Sequence, residues 1–512
     1  MSKPWGNVPP STSEVPVPLP RARLLVASTC LLGLAATTAG AAAGVGGTDL
    51  GDVRDFVALH GATAAAPGTG PEAPVLGATP RAECAPHDRP ETGRQGRVPA
   101  VEYVNGRAAR GYVCNTTEIT RFGKTGGYQV HRYVDRTGRE CAFYDSTLLF
   151  PKDVAKADQS GTYVLDMSDP ARPIRTAVLR TPAMQSPHES LRVNHARGLL
   201  AAGMGYPTTQ PGFVDVYDVS QDCRYPVLRS STPLGILGHE SGFAPDGRTF
   251  YVTTTAQPGI TAIDLTDPSL PRIVWRSTEH TVHGLGVSDD GNRLYLADTG
   301  RDGMTILDVS QVQAREPNPT ASVVSTITWP EVTIPQNVIP VTVKGRKYVL
   351  EFDEFDENVA SYSPDEEVGA GRIIDITDER NPRIVSRIRL EVHDKAARAD
   401  SQKDDPQAQN GLQGYSAHYC SVPRQTDPGI VGCSMILSGL RLFDISDPTK
   451  PREVGYFNKP LVESSNPRES GSYAMSAPAW VPERSEVWYS DGNTGFYNVR
   501  VTDRAWPARM RR

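Results

Sequence analysis

The chain has 512 residues, a formal charge of −6 and a charged fraction of 22 %. A nucleic-acid partner would call for a basic footprint, so that function class is excluded. Its 46 glycines and 43 prolines, against scarce helical periodicity, favour short strands and many turns. One core of about 400 residues exceeds the usual domain size, which points to a repeat architecture.

Residues 1–44 read as a secretory signal peptide. Arg21 and Arg23 precede an apolar, Ala-rich run from Leu24 to Ala43, and Ala39, Ala41 and Ala43 suit an A-x-A cleavage site. The run is also about long enough to remain as an anchor. No other segment could span a membrane. The expected location is therefore secreted or extracellular, with cell-surface attachment left open. Residues 45–110 form a flexible linker and N-terminal extension, and Ala, Gly, Pro and Thr dominate them up to residue 83. Beyond the leader stand Cys84, Cys114, Cys141, Cys223, Cys420 and Cys433, an even set without a CxxC pair, which reads as disulfides.

From residue 111 to 506 one phrase recurs: an apolar strand, Asp, an apolar residue, Ser or Thr, then Asp and Pro. The copies are YVLDMSDPARP, VDVYDVSQDCRYP, TAIDLTDPSLP, TILDVSQ, RIIDITDERNP and RLFDISDPTKP, with turn aspartates Asp166, Asp218, Asp264, Asp308, Asp375 and Asp444. A degenerate seventh, FYNVRVTD, puts Arg500 in the aspartate position. Asp and Ser accept from nearby backbone N–H groups, and Pro stops the strand. A β-rich run follows each phrase and two precede it, giving four strands, a to d, per repeat. Blades begin near Tyr128, Pro187, Gly238, Val282, Pro335, Ser416 and Ser476. The last lacks a strand d, and Val113 to Phe122 is spare. The fold class predicted is an all-β, seven-bladed β-propeller whose last blade is closed by that N-terminal strand, with residues 507–512 as a C-terminal tail.

The phrase resembles the repeat of the LVIVD-repeat proteins, a family of exported β-propellers, over about Gly111 to Asp503. The resemblance implies architecture and export and carries no common activity. Six cysteines allow fifteen pairings. Propeller strand order suggests Cys420–Cys433 across one hairpin and Cys141–Cys223 between adjacent blades. Cys84–Cys114 would then tie the extension to the closing strand.

Counting twelve residues back from the strand b positions Phe143, Leu200, Tyr251, Tyr295 and Tyr348 gives His131, His188, His239, His283 and Gln336. His418 and Ala477 take the corresponding places in blades 6 and 7. Glu189 and Glu240 follow two of the histidines. This column would ring one mouth of the central channel as a candidate ligand site, with His188, His239, His283 and His418 as candidate metal ligands and a divalent metal ion as candidate cofactor. The alternative is structural, a histidine hydrogen-bonded inside each repeat. His60, His87, His195, His280 and His393 fall outside the column and read as surface or loop residues. The acidic run Glu351, Asp353, Glu354, Asp356, Glu357 reads as the b–c loop of blade 5, and a second insertion carries Asp400, Asp404 and Asp405. Asn115-Thr-Thr is a glycosylation sequon.

Two functions follow. The first is a monomeric binding scaffold that takes an extracellular protein, glycan or small ligand on its loop-rich face. The second is a metal-dependent oxidase or hydrolase at the channel mouth.

Overall fold

The repeated phrase folds as a turn with a fixed hydrogen-bond pattern. The turn aspartate accepts from the backbone N–H two residues on: Asp166 from Ser168 at 2.9 Å, Asp218 from Ser220 at 2.8 Å and Asp264 from Thr266 at 3.0 Å. Asp308, Asp375 and Asp444 accept from Ser310, Thr377 and Ser446, each at 2.9 Å. An acceptor there satisfies the first N–H after strand c and turns the chain into strand d. The computed structural model describes residues 77–146, 161–205, 212–234, 238–254, 258–355, 368–402, 405, 407–408, 414–462, 470–507 and 510. The leader, His60, Asp356, Glu357, Asp404 and the side chain of Asp400 lie outside the described residues.

Seven antiparallel sheets, one per blade, make an all-β seven-bladed propeller. The inner strands are Val130–Val134, Arg192–Asn194, Ser241–Phe243, Val282–Val287, Ile334–Val343, Cys420–Ser421 and Ala479–Val481. Apolar residues alternate between blade faces and pack blade on blade; one cluster joins Tyr251, Ala262, Leu285, Leu294 and Leu307 of blades 3 and 4. Every pairing of strand c with strand d carries a one-residue bulge, as between Ala262 and Ile263. A bulge strengthens local twist, so its recurrence sets the same outer twist in each blade.

The spare N-terminal segment splits in two. Strand β1 (Tyr112–Cys114) adds a fifth strand to blade 6 beside Arg452–Asn458, and β2 (Thr116–Phe122) pairs along Gly495–Val501 of blade 7. The single strand expected over Val113 to Phe122 is thus corrected to two. The break is Asn115, whose φ of 55° suits a residue that tolerates the left-handed region. The β2 pairing carries the same bulge, between Glu118 and Thr120, so β2 occupies a true strand d slot.

The linker reading also ends earlier than expected. Thr79 N–H donates to Arg389 O at 2.8 Å, Arg81 pairs with Glu391, and Glu91 pairs with the buried Arg441 of blade 6, which also meets Glu453 at 3.0 Å. These partners hold the extension from residue 77 on against blades 5 and 6. The disulfides are Cys84–Cys114, Cys141–Cys223 and Cys420–Cys433. No helix among the described residues is long and apolar enough to cross a membrane.

Candidate metal centre at the channel mouth

The inner strands approach closely enough to pair across blades. Glu189 bridges Glu240 in parallel, and Gln129 bridges Ala477 where blade 1 meets blade 7. At Gly284, a Cβ would collide with the Glu240 carboxylate and the Gln336 carbonyl, so glycine alone admits the two neighbouring strands there. Three of the ten non-glycine residues with positive φ among the described residues stand at the same place. His188 (φ 51°), Phe355 (φ 55°) and Ile436 (φ 35°) lie in the left-handed region, a cost of roughly 1–3 kcal/mol each, of the kind that concentrates at functional sites.

The result is a buried polar cluster fed by blades 2 to 6. His239 Nε2 lies 3.0 Å from His283 Nε2 and 3.2 Å from Glu189 Oε2. His283 Nε2 meets Glu354 Oε1 at 2.7 Å, and His418 Nε2 meets Glu354 Oε2 at 2.9 Å. Gln336 Nε2 sits 3.0 Å from Glu189 Oε1, 2.9 Å from Glu354 Oε2 and 3.0 Å from His418 Nε2. Tyr419 Oη reaches both Glu189 Oε2 (2.7 Å) and Glu240 Oε2 (2.8 Å), and Arg192 holds the other oxygen of Glu240 at 2.7 Å. His418 Nδ1–H donates to Met475 O of blade 7 at 2.6 Å, which turns Nε2 inward toward Glu354. Tyr128 of blade 1 stacks on His188 at 4.4 Å and, with Phe355, Tyr419, Ile436, Tyr473 and Met475, forms an apolar layer against the cluster.

Electrostatics couple these groups. Burial alone would lower the His283 imidazole, but Glu354 and Glu189 hold it up at about 9. Burial, then His283, push His239 down. Burial pushes Glu240 up to about 7 against the pull of Arg192. Burial also opposes the charges of Glu189 and Glu354, yet the facing imidazoles, His283 first, hold both low.

Of the column, the structure gathers His188, His239, His283, Gln336 and His418 with Glu189 and Glu240, and it removes His131. In blade 1 His131 stands opposite Phe143, the place of Gly242 in blade 3 and Gly286 in blade 4. Those glycines lie three residues beyond His239 and His283. The longer a–b hairpin of blade 1 therefore carries His131 outward, and Tyr128 takes the channel position. His131 Nε2 is bonded to Leu191 O of blade 2 at 2.7 Å, which is the structural role.

Glu354 corrects the loop reading of blade 5. Glu351, Asp353 and Glu354 lie in strand b and are buried. His280 and His393 are buried too, the former 3.1 Å from Asp298. Asp405 is buried 3.3 Å from Tyr415 Oη. The sequon is closed: Asn115 is 3 % exposed and its amide nitrogen donates to Glu83 O and Val454 O, both at 2.9 Å. Tyr419 and Arg192 were missed. Tyr419 had a signal, since it follows His418 as Glu189 follows His188.

His131 gives a pH test. Burial, then the charge of Arg192, push its imidazole down to about 3. The unfolded histidine takes a proton below about 6.5. Its neutral form thus contributes stability that is full above pH ~6.5 and lost as pH falls toward 3. His131→Phe is expected to flatten the decline of the urea midpoint between pH 7 and 5; equal declines in both proteins would refute the role.

Three comparisons bear on the chain. The LVIVD repeat model matches residues 438–459, which span Leu440–Asp444, its turn and the whole of blade 6 strand d. None of the curated proteins matches. Among solved structures, the β-propeller domain of Cps50 (Swd1) from Myceliophteria thermophila shares 12 % identity over 75 % of this chain and 98 % of its own, with a TM-score of 0.45. Kuenenia stuttgartiensis hydrazine synthase shares 14 % over 75 % and 97 %, also at 0.45. A putative 6-phosphogluconolactonase from Bacteroides fragilis shares 10 % over 67 % and 91 %, at 0.42. At these values the likenesses carry no functional argument.

Proposed function

We propose that this LVIVD-repeat propeller is an exported metal-binding protein, with a divalent transition-metal ion held on imidazoles and carboxylates at the mouth of its central channel. One observation carries the reading. Glu189 belongs to three overlapping groups, with His188 and His239, with Glu240 and His283, and with Glu354 and His418, each with ligand atoms within 4.8 Å of one another. Imidazole with carboxylate suits Zn, Mn or Fe. The Nδ1–H of His418 on a backbone carbonyl is the outer support that metal-ligating histidines use. Three buried carboxylates, Glu189, Glu240 and Glu354, supply the anionic oxygen ligands that a divalent ion takes. Oxidation or hydrolysis is the chemistry such an ion would serve. The Ala-rich leader and three disulfides support export.

A second reading is a metal-free scaffold that takes a protein, glycan or small ligand on its loop-rich face. Its support is that Glu354 and Tyr419 already tie blades 2 to 6 together by hydrogen bonds. Metal analysis separates the two. The exported protein is expected to carry stoichiometric Zn, Mn, Fe or Cu, reduced in a His239→Ala, His283→Ala variant. A wild-type protein that holds no stoichiometric metal after dialysis against these ions overturns the metal reading and leaves the scaffold.

A further inference from the structure

The two central carboxylates each divide their oxygens between the same two groups of ligands. Glu189 turns Oε2 toward His239 Nε2 at 3.2 Å and Oε1 toward Gln336 Nε2 at 3.0 Å and His418 Nε2 at 3.6 Å. Glu354 turns Oε1 toward His283 Nε2 at 2.7 Å and Oε2 toward His418 Nε2 at 2.9 Å. One group is therefore the run Glu189 Oε2, His239 Nε2, His283 Nε2 and Glu354 Oε1, in which Nδ1 of His283 also lies 3.5 Å from Glu189 Oε2. The other is His418, Gln336 and the remaining two oxygens.

Each group contains atoms that a cation placed between them would suit. His239 Nε2 and His283 Nε2 stand 3.0 Å apart, a spacing that suits either one shared proton or one bound cation. In the second group His418 donates through Nδ1 to a backbone carbonyl and turns Nε2 toward Glu354 Oε2 at 2.9 Å. The amide nitrogen of Gln336 stands among three acceptors there with two hydrogens to give, while its Oε1 is fully buried without a hydrogen-bond partner. Turning that amide over would aim Oε1 at the same point, an arrangement that only a cation makes favourable. Ligands on one ion with bonds of about 2.0–2.2 Å lie about 2.9–3.5 Å apart, close to the spacings between neighbouring atoms in each group.

We propose that the centre holds two divalent ions, bridged by the carboxylates of Glu189 and Glu354. This rests on the metal-binding reading above. The first ion takes His239 Nε2, His283 Nε2, Glu189 Oε2 and Glu354 Oε1. The second takes His418 Nε2, Glu189 Oε1, Glu354 Oε2 and the reoriented Gln336 Oε1. Carboxylate bridges hold paired ions about 3.5–4 Å apart, the spacing that lets two ions act on one oxygen of a substrate. Tyr419 and Arg192 act as positioning residues, fixing Glu189 and Glu240 from behind.

The test is metal stoichiometry of the full-length exported protein, stripped with chelator and reloaded separately with Zn(II) and Mn(II). Two ions per chain are expected, and the Mn(II) form should give the resonance of an exchange-coupled pair in place of an isolated six-line signal. His418→Gln should hold one ion and show the six-line signal. One ion per chain in the wild type overturns the paired centre and leaves the metal-binding reading standing. Two ions without coupling also overturn it, because the second then lies elsewhere. No bound metal overturns both. The wild-type result decides by itself if the variant fails to fold.

Discussion

A chain that starts at Gly123 is expected to aggregate or remain unfolded, whereas one that starts at Gly111 is expected to purify as a folded monomer. The two differ by β1 and β2. Strand β2 pairs with Gly495–Val501 along its whole length, from Thr116 opposite Val501 to Phe122 opposite Phe496. Without it, a strand whose Phe496, Tyr497, Val499 and Val501 are buried becomes a free edge. Such an edge is a template for intermolecular pairing. It also opens the ring beside the Gln129–Ala477 bridge. The loss is on the order of the fold's whole stability, about 5–15 kcal/mol. The Gly111 chain keeps both strands but loses Glu91 from Arg441 and the Cys84–Cys114 disulfide, so its melting temperature, measured under reducing conditions that keep Cys114 a thiol, should fall below that of the full chain. Size-exclusion chromatography and thermal unfolding of both chains measure this. A monomeric Gly123 chain that melts with the Gly111 chain would show that β2 is dispensable.

The blade count was legible because the turn phrase is local chemistry. Asp166, Asp264 and Asp444 each satisfy an N–H two residues away, so the pattern survives any change elsewhere in the fold. The histidine column was legible for the same reason in blades 2, 3 and 4, where strand a opens near its histidine. It failed at His131 because hairpin length is not local: three extra residues leave the pattern intact and move the side chain out of the channel. The split at Asn115 was hidden because β1 and β2 share a strand-like sequence and differ in partner. Glu354 was misread for a related reason. Five acids in seven residues look solvated, yet alternation along strand b sends Glu351 and Asp353 to one face of the sheet and Glu354 toward the channel.

Those two acids have a buried partner, and removing it is the second large effect. Arg372, on the neighbouring strand, lies 2.6 Å from Glu351 Oε2 and 2.9 Å from Asp353 Oδ1, and its guanidinium covers Trp329 at 4.1 Å. Its counterpart in blade 6 is Arg441, also three residues before the turn aspartate and also between two carboxylates. Arginine at that point of an apolar strand is a sequence mark of an internal ion pair. Burial, then the charge of Asp353, already push the Glu351 carboxyl well above its usual range, with Arg372 opposing them. Arg372→Met is therefore expected to cost about 3–5 kcal/mol at pH 7, the price of two uncompensated carboxylates. In the variant the Glu351 carboxyl, freed from the opposing Arg372, titrates above its unfolded value, so its penalty is present above the raised value and shrinks as pH falls toward about 4. Chemical unfolding at pH 7 and pH 5 should show a smaller deficit at pH 5. Adding Glu351→Gln and Asp353→Asn to Arg372→Met should recover most of the loss at pH 7, because no buried charge then lacks a partner. A deficit that is equal at both pH values, or that the two amides leave unchanged, would place the cost in lost packing on Trp329 and not in charge.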